Sequence, residues 1–427
     1  MVVEHALIIA IAVSGCLLWI VLAAAYRRML SAVWMLSAVL FLREIKIFIS
    51  DAIGVEIPAV MLAVVAAVVV AAPVAARSTR QIRRALREPI VVLWIALLLY
   101  GAASLMWSPN RQYGAAKFLL ALAIGVIPGL AMYIAYRYRQ RMSWNSFLFC
   151  GVAYSVLVLV NGDVIAGRLA GEGGNPIWAA RSALFVAAVA IWDGRSWAPV
   201  RLVAVIMSFW VAIATQSRGP LLAFLAAALI VCAVMWVRTT RVRYRRTSIV
   251  LVCAGVAVIL GVVAIDPQVP SNVIGSESRF ASLAHSSSIQ DDSNVAARIA
   301  LQRQAIDLFL QHPVLGAGLG SSAPPGEQSH PHNVPLEMAS ELGVLGALMW
   351  LAAVAGGLYA ARRNWLVQLL LVQALLYSLT SGDLASNNLV LVLSIFASAL
   401  QEARGPQSSQ EGSVIYGAGT ESLAAPV

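Results

Sequence analysis

Apolar runs long enough to cross a bilayer, roughly 17–25 residues each, recur along this chain and constrain its fold more than any other feature. They fall at about 6–25, 55–76, 89–107, 114–136, 145–163, 177–193, 197–215, 219–237, 248–265, 342–361, 365–382 and 384–402. A further run, 29–42, is short and is followed by Arg43, Glu44 and Lys46. Inside hydrocarbon every backbone N–H and C=O must be bonded within its own segment, so such runs are helices. The expected fold is all-α, a polytopic membrane protein of about twelve transmembrane helices, with 1–50 the least defined region. A hydrophobic fraction of 60%, a charged fraction of 12% and a mean hydropathy of +0.81 exclude an ordinary soluble globular protein.

Basic residues are retained on the cytoplasmic side of a membrane, and here they cluster. Arg77, Arg80, Arg83, Arg84 and Arg87 form one group, Arg137, Arg139 and Arg141 a second, Arg238, Arg241, Arg243, Arg245 and Arg246 a third, and Arg362 and Arg363 a fourth. An even number of runs separates each group from the next, which puts all four on one side, the cytoplasm. The net charge of +10 is then a topology signal, and nucleic-acid binding is not expected. The segment 266–333 falls on the outer side, the periplasm of a Gram-negative cell. Cys16, Cys150, Cys232 and Cys253 lie in or beside apolar runs without metal-ligand spacing and read as small core residues. Met1 to His5 is acidic, so the first run reads as a retained span and no cleavable signal is expected.

Four regions follow: a first transmembrane part over 1–265, an outward loop over 266–333, a last transmembrane part over 334–404, and a polar, Gly/Ser-rich cytoplasmic tail over 405–427 expected to be disordered. Within the loop, "VAARIALQRQAIDLFLQ" from Val295 to Gln311 has amphipathic spacing, with Ile299, Ile306, Leu308 and Leu310 on one broad side. Gly316, Gly318 and Gly320 follow; no βαβ unit surrounds them, which excludes a dinucleotide loop.

The chemistry concentrates in "EQSHPHNVPLEMASELGVLG", Glu327 to Gly346. Pro331 biases His330 away from helical geometry, and Asn333 suits the N-cap of a helix starting at Val334, with Pro335 tolerated in its first turn. His332 is thereby set at the mouth of a helix whose free N–H groups favour an anion. Arg181, in "GGNPIWAARSALF", and Arg218, in "ATQSRGPLLAF", fall by parity on the same outward face, and Arg298 lies in the loop helix, with Arg279 and Arg303 as further candidates. Charge within or at the rim of a span is costly, about 2.5–3.5 kcal/mol at the centre, and is read first as functional. The bland alternatives are an interfacial histidine capping a helix, a snorkelling Arg218 and a solvated Arg298. A histidine beside an anion site suits proton abstraction from a hydroxyl nucleophile, which suggests transfer from a phosphorylated, membrane-held donor.

The segments "SRGPLLAF", "ARIALQRQAIDLFLQHPVLGAGLG" and "HPHNVPLEMASELGVLG", in this order around an outward loop, resemble the bacterial O-antigen ligase and O-antigen polymerase superfamily. The resemblance is concentrated between Arg218 and Gly346, with Asn175 to Arg181 a weaker match. It implies an inverting glycosyltransferase whose donor glycan is carried on undecaprenyl diphosphate and whose acceptor is a lipid A-core hydroxyl, at the periplasmic face of the inner membrane. On this resemblance His332 is the first choice for the base and His330 the second; Arg218, Arg298 and Arg181 hold the diphosphate; Asn333 and Glu337 orient, with Glu341 a further candidate. Leu301 stands where many relatives carry an aromatic residue, which leaves the register of Arg298 open.

Three features of the chain fit. Nucleotides are absent outside the cytoplasm, so the donor must arrive activated. Arginine matches phosphate oxygens bidentately, and all of the chain's 30 basic residues except Lys46 and Lys117 are arginine. No Asp-x-Asp pair is present, so neither a metal nor another cofactor is expected. The competing readings are an O-antigen polymerase, a protein O-glycan ligase and, from another class, a transporter of anionic lipid or glycan.

Overall fold

The computed structural model describes residues 79–139, 144–165, 168–170, 175–238 and 293–402, with short pieces at 33, 35–41, 50, 54 and 64–67. The expected runs at 6–25 and 248–265, the first part of the outward loop and the 405–427 tail lie outside the described residues. The described chain is mostly helical. In order come α1 (Thr79–Ala85), α2 (Pro89–Ser104), α3 (Arg111–Ala121), which continues through a π-helical stretch (Leu122–Val126) into α4 (Ile127–Arg139), and α5 (Asn145–Asn161). A small antiparallel hairpin of β1 (Asp163–Ile165) and β2 (Arg168–Ala170) follows, then α6 (Pro176–Trp192), α7 (Ala198–Ala214) and α8 (Arg218–Arg238). After the undescribed segment come α9 (Ser293–Gln311), α10 (Val334–Ala361), α11 (Trp365–Thr380) and α12 (Asn388–Glu402).

Among the described residues three helices are long and apolar enough to span a bilayer: Arg111–Arg137, Arg218–Arg238 and Val334–Ala361. Six shorter apolar helices of 10–17 residues accompany them. This is a membrane protein; the three long apolar helices are those among the described residues, and the expected total of about twelve includes runs that lie outside them.

Helices in lipid gain little from burying one apolar surface against another and pack instead through close contact of small residues. Such contacts bind this bundle. Gly357 of α10 faces Ser394 of α12, and Gly151 of α5 faces Val186 of α6; Trp94 of α2 donates from its indole N–H to the Ser394 hydroxyl at 2.7 Å. The closest pairings are α6 with α7, α10 with α12, α8 with α11, α4 with α12 and α2 with α10. Large apolar side chains such as Leu99, Trp210 and Trp236 remain exposed, as suits helices whose outer surface meets lipid.

The two ends of the bundle differ. At one end the loop 312–333 is bonded to the C-terminal end of α2 and the start of α3: Tyr100 Oη donates to the Leu315 carbonyl at 2.8 Å, Ser108 Oγ to that of Leu319 at 2.7 Å, and Asn110 Nδ2 to that of Pro324 at 2.7 Å. The basic residues Arg80 to Arg87, Arg137, Arg139, Arg238, Arg362 and Arg363 stand at the far ends of the same helices, so the described arginine groups share the opposite end.

The loop helix forms over Ser293–Gln311 and packs on α10, as its spacing suggests, but by another face. Ala305 is the buried residue, while Ile299, Ile306 and Leu310 stay exposed. A small residue lets the two backbones approach, which the large aliphatic stripe would prevent.

Candidate functional site

The site begins with the capping of α10. Asn333 Oδ1 accepts the Leu336 N–H at 3.0 Å, and Pro335 occupies the first turn, as the sequence predicts. The residue before the cap, His332, has φ +55°, the left-handed region that non-glycine residues enter rarely and histidine more readily than most. This turn holds its ring beside that of His330, with centroids 4.3 Å apart.

Farther along α10 the helix breaks at Gly343, where φ is +66°. The break frees the carbonyls of Ser340 and Glu341, which accept the N–H groups of Ala317 at 3.0 Å and Gly318 at 2.8 Å, while Val344 N–H reaches the Pro313 carbonyl at 2.8 Å. A Cβ on Gly343 would stand 2.2 Å from the Val314 oxygen, and one on Gly316 2.3 Å from the Glu341 oxygen. The glycine-rich loop thus exists to let its backbone lie against the opened helix.

Beneath this junction lies a buried charge cluster that the sequence reading did not anticipate. Lys117 of α3, fully buried, bonds Glu337 and, at 2.7 Å, Glu341 of α10. The carboxylates have further donors: Glu337 Oε2 accepts the Leu384 N–H at 2.9 Å, and Glu341 accepts the N–H groups of Gly320 at 2.9 Å and Ser322 at 3.3 Å as well as the Ser322 hydroxyl. Glu337 therefore bonds neither histidine; its contacts run to Lys117 and to the 383–384 segment. One signal was present in the sequence: Lys117 is a lone lysine inside an apolar run, and charge there seeks a partner.

The C-terminal end of α11 is where the other predicted residues meet. Gly382 N–H donates to His332 Nδ1 at 3.4 Å, and Asn333 Nδ2 to the Leu379 carbonyl at 3.4 Å. Arg298 Nη1 reaches the Thr380 carbonyl at 3.3 Å. Arg181, buried, donates from Nη2 to the carbonyls of Tyr377 and Ser381, both at 3.0 Å, and its guanidinium lies 5.0 Å from the Tyr377 ring and 5.9 Å from that of Trp178. Its Nε has no hydrogen-bond partner among the described residues. His330, His332, Arg181 and Arg298, from three separate stretches of chain, thus converge. Arg218 opens α8 at the same end of the bundle, where Arg168 of β2 bonds Ser217 Oγ at 2.8 Å and the Thr215 carbonyl at 3.1 Å.

Two further residues complete the surroundings of the histidines. Tyr113 Oη lies 3.5 Å from His330 Nδ1 and 3.5 Å from Asp383 Oδ2, and Asp383 Oδ1 accepts the Ser386 N–H at 2.8 Å. Burial pulls the His332 imidazole down to about 4, with His330, Arg298 and Arg181 adding to the effect and Asp383 opposing it. Burial also lowers His330 below its ordinary value. Asp383 is held below the usual carboxylate range: burial works against it and is outweighed by Lys117, Ser386 and His330. At neutral pH the site holds two neutral imidazoles, a carboxylate and two guanidinium groups.

The sequence model of the family described as O-Antigen ligase matches residues 202–351. The resemblance to the O-antigen ligase and polymerase superfamily is borne out. The matched O-antigen ligase domain runs from α7 to the middle of α10 and includes Arg218, Arg298, His330, His332, Asn333 and Glu337. Arg181, Lys117, Tyr113 and Asp383 fall outside the matched region. No curated protein matches the chain.

Proposed function

We propose that the protein is an O-antigen ligase: an inverting, metal-independent glycosyltransferase that moves glycan from undecaprenyl diphosphate to a hydroxyl of lipid A-core at the periplasmic face of the inner membrane. The observation that carries this reading is the convergence of two neutral imidazoles with two guanidinium groups at the C-terminal end of α11. Guanidinium groups bind phosphate through paired N–H donors, and Arg181 and Arg298 are the residues to hold the diphosphate, with Arg218 at the rim. An imidazole neutral at working pH takes the proton of the attacking hydroxyl. The acceptor oxygen forms its bond to the anomeric carbon from the face opposite the diphosphate, the carbon–oxygen bond to phosphate breaks, and its electron pair leaves on the diphosphate. A diphosphate needs no protonation to depart, which suits a site rich in fixed positive charge and poor in acids.

The arginine groups at the other end of the bundle support a cytoplasmic placement of that end, and with it 266–333 as an outward loop between two transmembrane parts, 1–265 and 334–404. Reconstitution with a synthetic lipid-diphosphate glycan and a lipid A-core acceptor tests the reading. Glycosylated acceptor without nucleotide or added metal is the expected product. Elongated donor with the acceptor ignored would assign a polymerase, glycan on an added polypeptide a protein O-glycan ligase, and donor translocated without bond formation a transporter.

A further inference from the structure

The two histidines are not equivalent, because their hydrogen bonds fix different tautomers. A backbone N–H can only donate, so the contact from Gly382 to His332 Nδ1 requires a lone pair on that nitrogen. Neutral His332 then carries its hydrogen on Nε2, which makes that atom a donor and leaves it unable to accept a proton. His330 is placed in the opposite sense. Asp383 is a carboxylate, an acceptor only, and the Tyr113 hydroxyl stands 3.5 Å from both Asp383 Oδ2 and His330 Nδ1. When the phenol donates to the carboxylate, its oxygen accepts from His330 Nδ1–H. His330 Nε2, which makes no hydrogen bond among the described residues, is left with a free lone pair. Contacts of this length in a site without substrate shorten when the reacting complex forms.

We propose that Tyr113 and Asp383 are positioning residues that hold His330 as the general base through its Nε2, while His332 donates a hydrogen bond from Nε2 to the departing diphosphate. This rests on the glycosyl-transfer reading and reverses the order of preference drawn from the sequence. In the step itself the acceptor O–H bond breaks, its proton passes to His330 Nε2, the oxygen bonds the anomeric carbon, and the electron pair of the broken carbon–oxygen bond goes to the diphosphate. The resulting imidazolium faces the Asp383 carboxylate through Tyr113, with Glu341 also favouring its charge and Lys117, Arg298 and the neighbouring His332 opposing it. Tyr113 has a further duty: its ring lies 4.5 Å from Lys117 Nζ, a contact Tyr113→Phe preserves while removing the hydroxyl.

The test uses the full chain in two ways. First, kcat against pH is measured for the wild type, Tyr113→Phe and Asp383→Asn. Asparagine keeps the shape and removes the charge, and its single amide oxygen cannot accept from both the Ser386 N–H and the phenol, so the relay loses its carboxylate acceptor. The relay predicts a fall in kcat of about tenfold or more in both variants, as befits general-base chemistry, with donor KM within threefold. The acid limb of Asp383→Asn moves to lower pH, since the imidazolium has lost its carboxylate. A residue that merely supported the fold would reduce the amount of active protein and leave the limb in place; that result, or a His330→Gln variant with near wild-type kcat, overturns the proposal. Second, 15N-histidine NMR of the purified protein near pH 7.5, assigned with His330→Gln and His332→Asn, should show Nδ1–H for His330 and Nε2–H for His332. The reverse tautomers overturn the assignment whether or not the preparation is active. A wild type that transfers no glycan, with the tautomers as stated, would instead count against the ligase reading.

Discussion

Replacing Lys117 by Met probes how the 312–333 loop is seated. The ammonium lies between Glu337 and Glu341, 2.7 Å from the latter and 3.5 Å from Ser322 Oγ, and all three residues of the cluster are buried. Methionine fits the volume and removes the charge. Glu341 keeps three donors, the N–H groups of Gly320 and Ser322 and the Ser322 hydroxyl, whereas Glu337 keeps the Leu384 N–H. Glu337 is therefore the more exposed to the loss, and the 383–384 segment that it holds should loosen first. Removing one member of a buried ion pair costs about 3–5 kcal/mol, because a desolvated charge is left without its partner. At 1.4 kcal/mol per decade, the locally open population should rise by about two to three and a half orders of magnitude. Hydrogen exchange followed by mass spectrometry reads this at the amides of Gly320, Ser322 and Leu384. Exchange there should accelerate by that factor while the far ends of α10 and α11 change little. Lys117→Met combined with Glu337→Gln and Glu341→Gln should recover most of the protection, since a neutral set carries no orphan charge. Acceleration below tenfold in Lys117→Met would refute the view that this cluster seats the loop.

Gly343→Ala should destabilise the loop by more than the roughly 1–3 kcal/mol of a strained backbone position, because the added Cβ also meets the Val314 oxygen at 2.2 Å; limited proteolysis between 312 and 327 should speed up, and unchanged cleavage would show that the break in α10 is not needed. Arg181→Lys keeps the charge but cannot reproduce two carbonyl bonds and a planar face toward Tyr377, so transfer should drop about tenfold or more with donor KM raised, and an unaltered KM would remove Arg181 from donor binding. His332 titrates at about 4 in the folded site against 6.5 when solvated, so between those values the opened loop takes up a proton that the seated loop does not. Loop stability should accordingly fall as pH drops from about 6.5 toward 4, and His332→Asn, which tolerates the left-handed backbone, should flatten that dependence in hydrogen exchange.

The membrane character of the chain, the cap at Asn333 and the helix over Ser293–Gln311 were legible in the sequence because each rests on local pattern: runs of apolar residues, a short polar side chain before Pro335, spacing along one turn. Local pattern failed where close packing decides. The loop helix buries Ala305 and leaves its aliphatic stripe outside, and the glycines at 316, 318 and 320 had no reading until the opened turn at Gly343 lay beside them. Glu337, taken as a possible partner of His332, proved to be held by Lys117.

By itself, the sequence determined that the protein is a helical membrane protein and that His330 and His332 stand together at a helix mouth. Tertiary structure alone decided that Arg181 and Arg298 gather with those histidines at the end of α11, that Lys117 joins Glu337 and Glu341, and that Tyr113 and Asp383 stand beside His330. The physical reason is one of range. A hydrogen-bond cap or an apolar period acts within a few residues of chain, whereas Tyr113, His330 and Asp383 are brought within hydrogen-bonding distance only when α3 and α11 pack around α10.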